Sequence, residues 1–147
     1  MRIVLDTNVL ARAVCGPDGP AGEVLRRMQS PQVMILSDHI VGELSRALRY
    51  ARLRRMHGLD DRAIELHLEE LRASAIMAQI DQVSPFPDVA GDPDDNKVIA
   101  TAIASHADAI CTLDQHLRRA AVVAFCRTHA IEVMGDVELL QMLRNVG

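Results

Sequence analysis

The sequence contains very few aromatic residues. Among its 147 residues there is no tryptophan, one tyrosine and two phenylalanines, although 49% of the chain is hydrophobic. The core must therefore be packed from Leu, Ile, Val, Ala and Met. A chain of this length can bury most of the apolar surface that its unfolded form exposes, so we predict a single domain over residues 1–147.

Cysteines and long apolar runs are scarce as well. The three cysteines have no paired C-x-x-C spacing, so the sequence indicates neither a disulfide framework nor a cysteine-based zinc site. The apolar run AAVVAF at 120–125 is far too short to span a bilayer, and the first predicted strand begins at Arg2 or Ile3, which leaves no room for a signal peptide. The net charge of -4 argues against a general polyanion binder. We therefore predict a cytoplasmic protein without a membrane partner.

Short apolar runs alternate with segments of helical periodicity. The predicted strands are at 2–5, 33–36, 109–113 and 131–134, with a weaker candidate at 78–83. The predicted helices are at 20–29, 39–56, 60–76, 94–106, 115–129 with a break, and 136–144. Continuously apolar strands are typical of a parallel sheet with helices on both faces, so the alternation predicts an α/β fold.

Acidic residues follow the predicted strands. Asp6 comes directly after the first strand, Glu43 lies one turn into the helix after the second, and Asp114 follows the strand at 109–113. A proline-rich loop leads into DPDDN at 92–96, where Asp95 lies on the apolar row of its helix. In an open parallel sheet, ligands bind beyond the carboxyl ends of the strands. We therefore expect these carboxylates to share one crevice.

A divalent cation would explain why several carboxylates lie together. A single aspartate could simply cap a helix, but capping does not explain Glu43, which lies on an inward-facing row of its helix. Two unit charges about 4 Å apart repel by roughly 4 kcal/mol at an effective dielectric constant of about 20. Oxygen ligands favour Mg²⁺ or Mn²⁺ over zinc, and such a site suits the hydrolysis of phosphodiester bonds. Thr7 and Asn8 could then hold the outer shell of the site or the scissile phosphate.

Three motifs together have a familiar order and spacing. They are VLDTNVL at 4–10, LSDHIVGEL at 36–44 and DPDDNKVIATAIASHADAICTLDQHL at 92–117. In these motifs the sequence resembles the PIN-domain family, in particular the small single-domain PIN proteins that are toxins of toxin–antitoxin pairs. The resemblance implies a three-layer α/β/α sandwich with a mostly parallel central sheet. It also implies a Mg²⁺- or Mn²⁺-dependent endoribonuclease activity and a cognate antitoxin that blocks the site.

The acidic residues of the PIN family carry over to four positions of this chain. The resemblance implies that the catalytic and metal-binding residues are Asp6, Glu43, Asp95 and Asp114. It also implies a supporting role for Thr112, two residues before the last of these. At the third position Asn96 could take the place of Asp95, and Asp92 is a further candidate ligand.

Arginines recur at every third residue on the predicted helix that carries Glu43. They are Arg46, Arg49, Arg52 and Arg55, and Lys97 could extend the series. They could form a solvated helix face, or they could bind RNA phosphates on the way into the crevice. With so few aromatics, recognition would depend on backbone charge and RNA shape. His39 and His116 flank the crevice and could contact phosphate or be ordinary surface or capping groups.

Two other functions remain open. The chain could be a catalytically silent PIN-fold module that binds RNA or an antitoxin. It could also be a phosphohydrolase that forms an aspartyl-phosphate on Asp6, although such enzymes usually have a second aspartate two residues later, where this chain has Asn8. We also predict a homodimer, because Leu53, Leu59 and Leu66 exceed what one core needs.

Overall fold

The computed structural model describes residues 1–146 as a β-sheet with helices around it. The strands are β1 (Arg2–Leu5), β2 (Val33–Leu36), β3 (Ile76–Met77), β4 (Ala109–Cys111) and β5 (Glu132–Met134). The helices are α1 (Thr7–Cys15), α2 (Pro20–Arg26), α3 (Asp38–Leu48), α4 (Ala51–His57), α5 (Asp61–Ser74), α6 (Pro93–Ala104), α7 (Ala120–Thr128) and α8 (Asp136–Val146). In this part of the chain, no helix is both long and apolar enough to cross a membrane.

All five strands are parallel, and their order in the sheet is β3-β2-β1-β4-β5. The central strand is β1, in which Ile3 pairs with Met34 on one side and with Ala109 on the other. Ile3, Val4 and Leu5 are all fully buried. Since successive side chains of a strand point to opposite faces, both faces of the sheet must be covered.

The order of the strands explains how helices cover both faces. The chain first passes from β1 to β2 and β3, and then crosses β1 to reach β4 and β5 on the other side. Because such crossovers are right-handed, this reversal puts α6 and α7 on the face opposite to the earlier helices. In agreement, α1 packs on α2 and α3, while α6 packs directly on β1, β2 and β4. The predicted α/β fold with a parallel central sheet is confirmed.

The same reversal creates a crevice between the carboxyl ends of β1 and β4. These strands are neighbours, but the chain leaves β1 toward β2 and leaves β4 toward β5. The connections therefore separate and leave an opening at this edge, which is where ligands bind in open α/β sheets. Asp6 follows β1 directly, and Asp114 lies three residues after β4. The topology thus places two of the predicted acidic residues at the same opening.

Two of the predicted elements are wrong in detail. The weak strand at 78–83 is instead β3 at Ile76–Met77 followed by a 3₁₀ turn at Ile80–Gln82. The last bond to the neighbouring strand runs from the Ala78 amide to the Leu36 carbonyl (2.8 Å), since β2 ends at that residue. The predicted helix at 39–56 is two helices, because the backbone of Tyr50 is extended between α3 and α4.

Other differences concern where helices begin and end. No helix is predicted at Thr7–Cys15, where the structure has α1. The Asp6 carbonyl accepts the amide of Leu10 at 3.1 Å and so begins this helix. The predicted helix at 20–29 ends at Arg26. The break predicted within 115–129 is present, since residues 115–119 are turns and α7 begins at Ala120.

Candidate active site

Asp6 lies in the crevice directly after β1 and is only 5% exposed. Its backbone amide donates to the carbonyl of Cys111 in β4 at 3.0 Å. Its Oδ1 accepts the amide of Thr7 at 2.8 Å, which caps α1. Its Oδ2 accepts the hydroxyl of Thr112 at 2.8 Å and the side-chain amide of Asn8 at 3.2 Å. Both carboxylate oxygens are therefore held in place by the sheet and by the helix that follows it.

The hydroxyl of Thr112 also connects Asp6 to Asp114. Its oxygen accepts the backbone amide of Asp114 at 3.0 Å while it donates to Asp6. Asn8 supports the same loop, because its Oδ1 accepts the amide of Leu113 at 3.0 Å. These hydrogen bonds hold the loop after β4 against the start of α1, so the two aspartates have fixed relative positions.

The carboxyl group of Asp6 retains its proton more strongly than an ordinary aspartic acid. Burial raises the pKa of Asp6, and hydrogen bonds from Thr112 and Thr7 oppose that shift. The charges of Glu43 and Asp114 raise the pKa further. Asp6 is thus in a low-dielectric position close to other negative charges.

Asp95, in the first turn of α6, belongs to the same region of negative charge. Burial raises the pKa of Asp95 to about 6, and the charges of Asp114, Asp92 and Asp6 contribute to the increase. The side chain of Asp95 makes no hydrogen bond within residues 1–146. Since carboxylates raise one another's pKa only at short range, Asp6, Asp95 and Asp114 share one acidic region, here called the aspartate cluster.

Glu43 lies on another side of the crevice, on α3. Its Oε1 accepts the hydroxyl of Thr7 at 3.3 Å, and Nε2 of His39 lies 3.2 Å from the same oxygen. The same nitrogen lies 3.6 Å from Oδ1 of Asp94. Among the His, Cys, Asp and Glu residues that the structure describes, His39, Glu43 and Asp94 are the one group of three whose ligand atoms all lie within 4.8 Å of one another.

A cavity of about 540 Å³ opens over the crevice. Its acidic wall contains Asp6, Glu43, Asp94, Asp95 and Asp114. Its apolar wall is formed by side chains of α1, α3, α4 and α6: Ala11, Cys15, Ala47, Leu53, Met56 and Val98. Arg12 and Arg52 also line the cavity. The cavity therefore combines negative charge, two cations and an apolar surface.

Comparison with known proteins establishes the family. A family model described as a PIN domain matches residues 2–116 of the chain. The chain belongs to the PIN-domain family. It is also similar to a chain of the crystal structure of VapBC2 from Rickettsia felis bound to a DNA fragment from their promoter, with a TM-score of 0.60 and 13% identity over 92% of this chain and 98% of that chain. At this identity the similarity shows a shared fold, and among curated proteins none matches the chain.

The structure brings many of the predicted site residues of this PIN domain together. Those that line the cavity are Asp6, Thr7, Asn8, Glu43, Asp95, Asp114 and Arg52. Thr112 is fully buried and acts on the crevice through its hydrogen bond to Asp6. The other predicted residues do not line the cavity: Asp92, Asn96, Arg46, Arg49, Arg55 and Lys97.

Asn96 faces away from the crevice, into the proline-rich loop. Its Oδ1 accepts the amides of Val89 at 3.2 Å and Ala90 at 3.0 Å, and its Nδ2 donates to Asp88 at 3.1 Å. The side chain is buried. It thus holds the loop before α6, and of the two neighbouring residues it is Asp95 that faces the cavity.

Asp92 and Lys97 lie at the edges of the site. Asp92 caps α6, since its Oδ1 accepts the amide of Asp94 at 2.8 Å. Its charge still contributes to the raised pKa of Asp95. Lys97 lines a neighbouring hollow together with His39. Both residues therefore lie outside the walls of the cavity, and Asp92 acts on Asp95 through its charge.

The arginines do not form the continuous series that was predicted on one helix. Because the helix breaks after Leu48, Arg49 turns toward α5, where it lies 3.3 Å from a carboxylate oxygen of Asp61 and 2.7 Å from one of Glu65. Arg46, Arg52 and Arg55 are exposed. Arg49 therefore links helices, while the exposed arginines remain available to a ligand.

The aspartate cluster fits Mg²⁺ or Mn²⁺ in its donor chemistry. The side-chain donors of Asp6, Asp95 and Asp114 are all carboxylate oxygens, which these hard cations prefer. Burial is the main cause of the raised pKa values of Asp6 and Asp95, and the charges of neighbouring carboxylates add to both shifts. The carboxylate oxygens of Asp6, Asp95 and Asp114 do not form a group of three within 4.8 Å of one another in the described residues. This spacing suits an ion that keeps water or phosphate oxygens among its ligands.

Sequence reasoning missed two features of this PIN domain. One is the contact of Asp94 and His39 with Glu43, for which the i, i+4 spacing of His39 and Glu43 on one helix was an available signal. The other is the apolar wall of the cavity. Leu53 was predicted to contribute to a dimer and Met56 had no predicted role, whereas both line the cavity on α4, after the break that follows α3.

Proposed function

We propose that this PIN domain is a divalent-metal-dependent endoribonuclease that hydrolyses RNA phosphodiester bonds. The observation that carries the proposal is the convergence of Asp6, Asp95 and Asp114 at the point where the sheet connections separate. Carboxylates that raise one another's pKa are unfavourable for stability. Their presence in an open crevice is best explained by a cation and an anionic substrate.

Each residue of the crevice has a definite part in this proposal. Asp6, Glu43, Asp95 and Asp114 would hold Mg²⁺ or Mn²⁺. The bound cation would supply positive charge that stabilises the charge building up on the scissile phosphate. Thr112 and Asn8 keep the Asp6 carboxylate oriented, as their hydrogen bonds show. The Asp95 carboxylate makes no side-chain hydrogen bond within the described residues and lines the cavity, so its oxygens are available to the cation or to the attacking water.

The positive charge near the crevice supports an RNA substrate. Arg52 and Arg12 line the same cavity as the acidic residues, and Arg46 and Arg55 lie exposed on α3 and α4. Arginine binds phosphate through paired N–H donors. We propose that these residues guide the RNA backbone toward the aspartate cluster, whereas Arg49 contributes through the packing of α5.

Metal dependence and the role of Asp6 can be tested together. We expect the purified protein to cut a single-stranded RNA in Mg²⁺ or Mn²⁺ and to stop in EDTA. Asp6→Asn should lower the rate by about a thousandfold, which corresponds to roughly 4 kcal/mol of lost transition-state stabilisation. Asp18→Asn is the matched control, because Asp18 is exposed and does not line the cavity.

The other outcomes of this experiment distinguish the alternative functions. Cleavage that continues unchanged in EDTA would contradict metal dependence. RNA binding without cleavage would identify a catalytically silent module. A trapped aspartyl-phosphate on Asp6 would identify a phosphohydrolase.

We further propose that the protein is the toxin of a toxin–antitoxin pair and that its antitoxin covers the cavity. Two observations support this. The fold is similar to a chain of the VapBC2 structure. The apolar wall contains Met56, which is 58% exposed, and Tyr50 beside it in the cavity lining is 62% exposed. An RNA backbone makes little use of apolar side chains, whereas a protein partner buries them. If a small open reading frame lies directly upstream, its product should bind this chain and should fail to bind Met56→Glu.

The homodimer stays a prediction, and fewer exposed leucines support it than the sequence indicated. Leu66 is 50% exposed, but Leu53 and Leu59 pack against the core. Their contribution to a dimer is therefore smaller than the sequence indicated. Sedimentation at micromolar concentrations measures the oligomeric state directly, and a monomer throughout that range would contradict the prediction.

A further inference from the structure

The imidazole of His39 has a buried nitrogen atom that lacks a hydrogen-bond partner among the described residues. Its side chain is 12% exposed, and Nε2 is buried without a hydrogen-bond partner within residues 1–146. The atom nevertheless lies 3.2 Å from Oε1 of Glu43 and 3.6 Å from Oδ1 of Asp94. An N–H group at such distances would normally point at one of the oxygens, since an unsatisfied buried donor is unfavourable.

These separations are those of atoms that bind one ion together. In an octahedral site with metal–ligand distances of about 2.1 Å, adjacent ligands are about 3.0 Å apart and opposite ligands about 4.2 Å apart. The three atoms of His39, Glu43 and Asp94 all lie within 4.8 Å of one another. Ligands of one ion point at the ion and not at each other, which explains why Nε2 is close to both oxygens but bonded to neither.

The surrounding residues support this arrangement. The hydroxyl of Thr7 donates to Oε1 of Glu43 at 3.3 Å and so orients the carboxylate. The adjoining hollow contains Lys97 as well as Asp38 and Asp81. Lys97 makes no ion pair with Glu43 or Asp94 among the described residues, so the site formed by His39, Glu43 and Asp94 does not depend on it for charge balance.

We propose that His39, Glu43 and Asp94 form a second metal site that prefers first-row transition-metal ions such as Mn²⁺ to Mg²⁺. The inference rests on the proposed nuclease function in one respect, because Glu43 belongs to both sets of ligands. It goes beyond that function in naming a nitrogen ligand and in adding Asp94. Imidazole nitrogen binds transition metals well and Mg²⁺ poorly, whereas the aspartate cluster offers only oxygen. The Nε2 atom binds as neutral imidazole, with the ring proton on Nδ1.

Pulsed electron paramagnetic resonance of bound Mn²⁺ tests the proposal directly. A coordinated imidazole produces nitrogen modulation of the Mn²⁺ signal, and carboxylates do not. We expect this modulation in the wild-type protein and its loss in His39→Gln. Calorimetry should show that this variant binds Mn²⁺ about tenfold or more weakly, while its Mg²⁺ affinity changes by less than about threefold.

Two further variants make the result specific. His106→Asn should keep the nitrogen modulation, because His106 is exposed before β4 at the opposite edge of the sheet and asparagine accepts its positive φ of 53°. Asp94→Asn changes a residue whose side chain is 61% exposed, so it should fold normally and still weaken Mn²⁺ binding. Circular dichroism of each variant confirms folding.

The outcomes separate this proposal from the proposed function. Wild-type protein without nitrogen modulation, or His39→Gln that retains it, would overturn the second site whatever the RNA assay shows. Asp114→Asn should keep the modulation while it abolishes cleavage. Modulation in a protein that never cuts RNA would contradict the nuclease and leave the His39 site standing.

Discussion

The two sides of the crevice are held in place in different ways. Asp6 and Asp114 follow strands of the sheet, and the buried hydroxyl of Thr112 joins them through hydrogen bonds of 2.8 and 3.0 Å. Glu43 projects from the second turn of α3 and Asp94 from the first turn of α6, with side chains that are 26% and 61% exposed. The difference indicates that the aspartate side is fixed before any ligand binds, whereas the glutamate side can adjust to its ligand.

The largest effect on metal affinity and stability should come from removing the hydroxyl of Thr112, which connects Asp6 to Asp114. Thr112→Val keeps the shape of the side chain but removes the donor to Asp6 and the acceptor of the Asp114 amide. We expect a metal affinity about 10- to 100-fold lower and a free energy of unfolding lower by about 1–3 kcal/mol. Calorimetric titration with Mn²⁺ and urea unfolding measure the two quantities.

Thr101→Val is the matched control for that change. Thr101 is also fully buried, but its hydroxyl donates to the carbonyl of Lys97 within α6. This control should lose little stability and keep its metal affinity. Equal metal affinities in Thr112→Val and Thr101→Val would show that the connection through Thr112 does not orient the site.

A smaller effect on stability is expected from the negative charge of Asp95 in the aspartate cluster. The pKa of Asp95 is raised from 3.8 to about 6 in the folded protein. Between these values the folded state binds more protons than the unfolded state, so the metal-free protein loses stability as pH rises from about 4 to about 6. Asp95→Asn removes this penalty, and solvent screening of the partly exposed side chain limits the gain to about 1 kcal/mol.

Thermal unfolding in EDTA measures this gain. At pH 7.5, Asp95→Asn should melt about 3 °C higher than the wild type, and the advantage should shrink toward pH 4. Asp18→Asn, an exposed change outside the cluster, should show no such trend. A metal-free Asp95→Asn that melts below the wild type at pH 7.5 would contradict the view that Asp95 is repelled by its neighbours.

The smallest effect on the free energy of unfolding is expected at Asp94, on the side of the crevice that contains Glu43. Asp94→Asn should change the free energy of unfolding by less than about 0.5 kcal/mol, because Asp94 is exposed and the neighbour of its carboxylate, Nε2 of His39, is 3.6 Å away. Urea unfolding of the metal-free protein measures it. A loss as large as that of Thr112→Val would mean that both sides of the crevice are equally fixed.

Much of the aspartate side could be predicted from the sequence. An apolar strand followed by an acidic residue, found at Asp6 and again near Asp114, indicates where a parallel sheet collects its ligands. Asp95 followed from the periodicity of a helix. These features are local, since each depends on a strand or helix of a few residues and on the edge at which parallel strands end.

The glutamate side and the arginines were harder to predict, because they depend on contacts between elements. The break at Tyr50 has no proline or glycine to mark it, and it redirects Arg49 to Asp61 and Glu65. Asn96 looked like a substitute for an acid until its bonds to the proline-rich loop were known. Asp94 meets His39 only because α3 and α6 come together from opposite faces of the sheet.

The central claim is that carboxylates of the aspartate cluster bind one divalent cation. Crystals of the protein soaked in Mn²⁺ test it, because anomalous scattering locates the ion without assumptions about the ligands. We predict an anomalous peak between the carboxylates of Asp6 and Asp114, at about 2.0–2.3 Å from an oxygen of at least one of them. A crevice without a peak in crystals that bind Mn²⁺ elsewhere on the surface would contradict the claim.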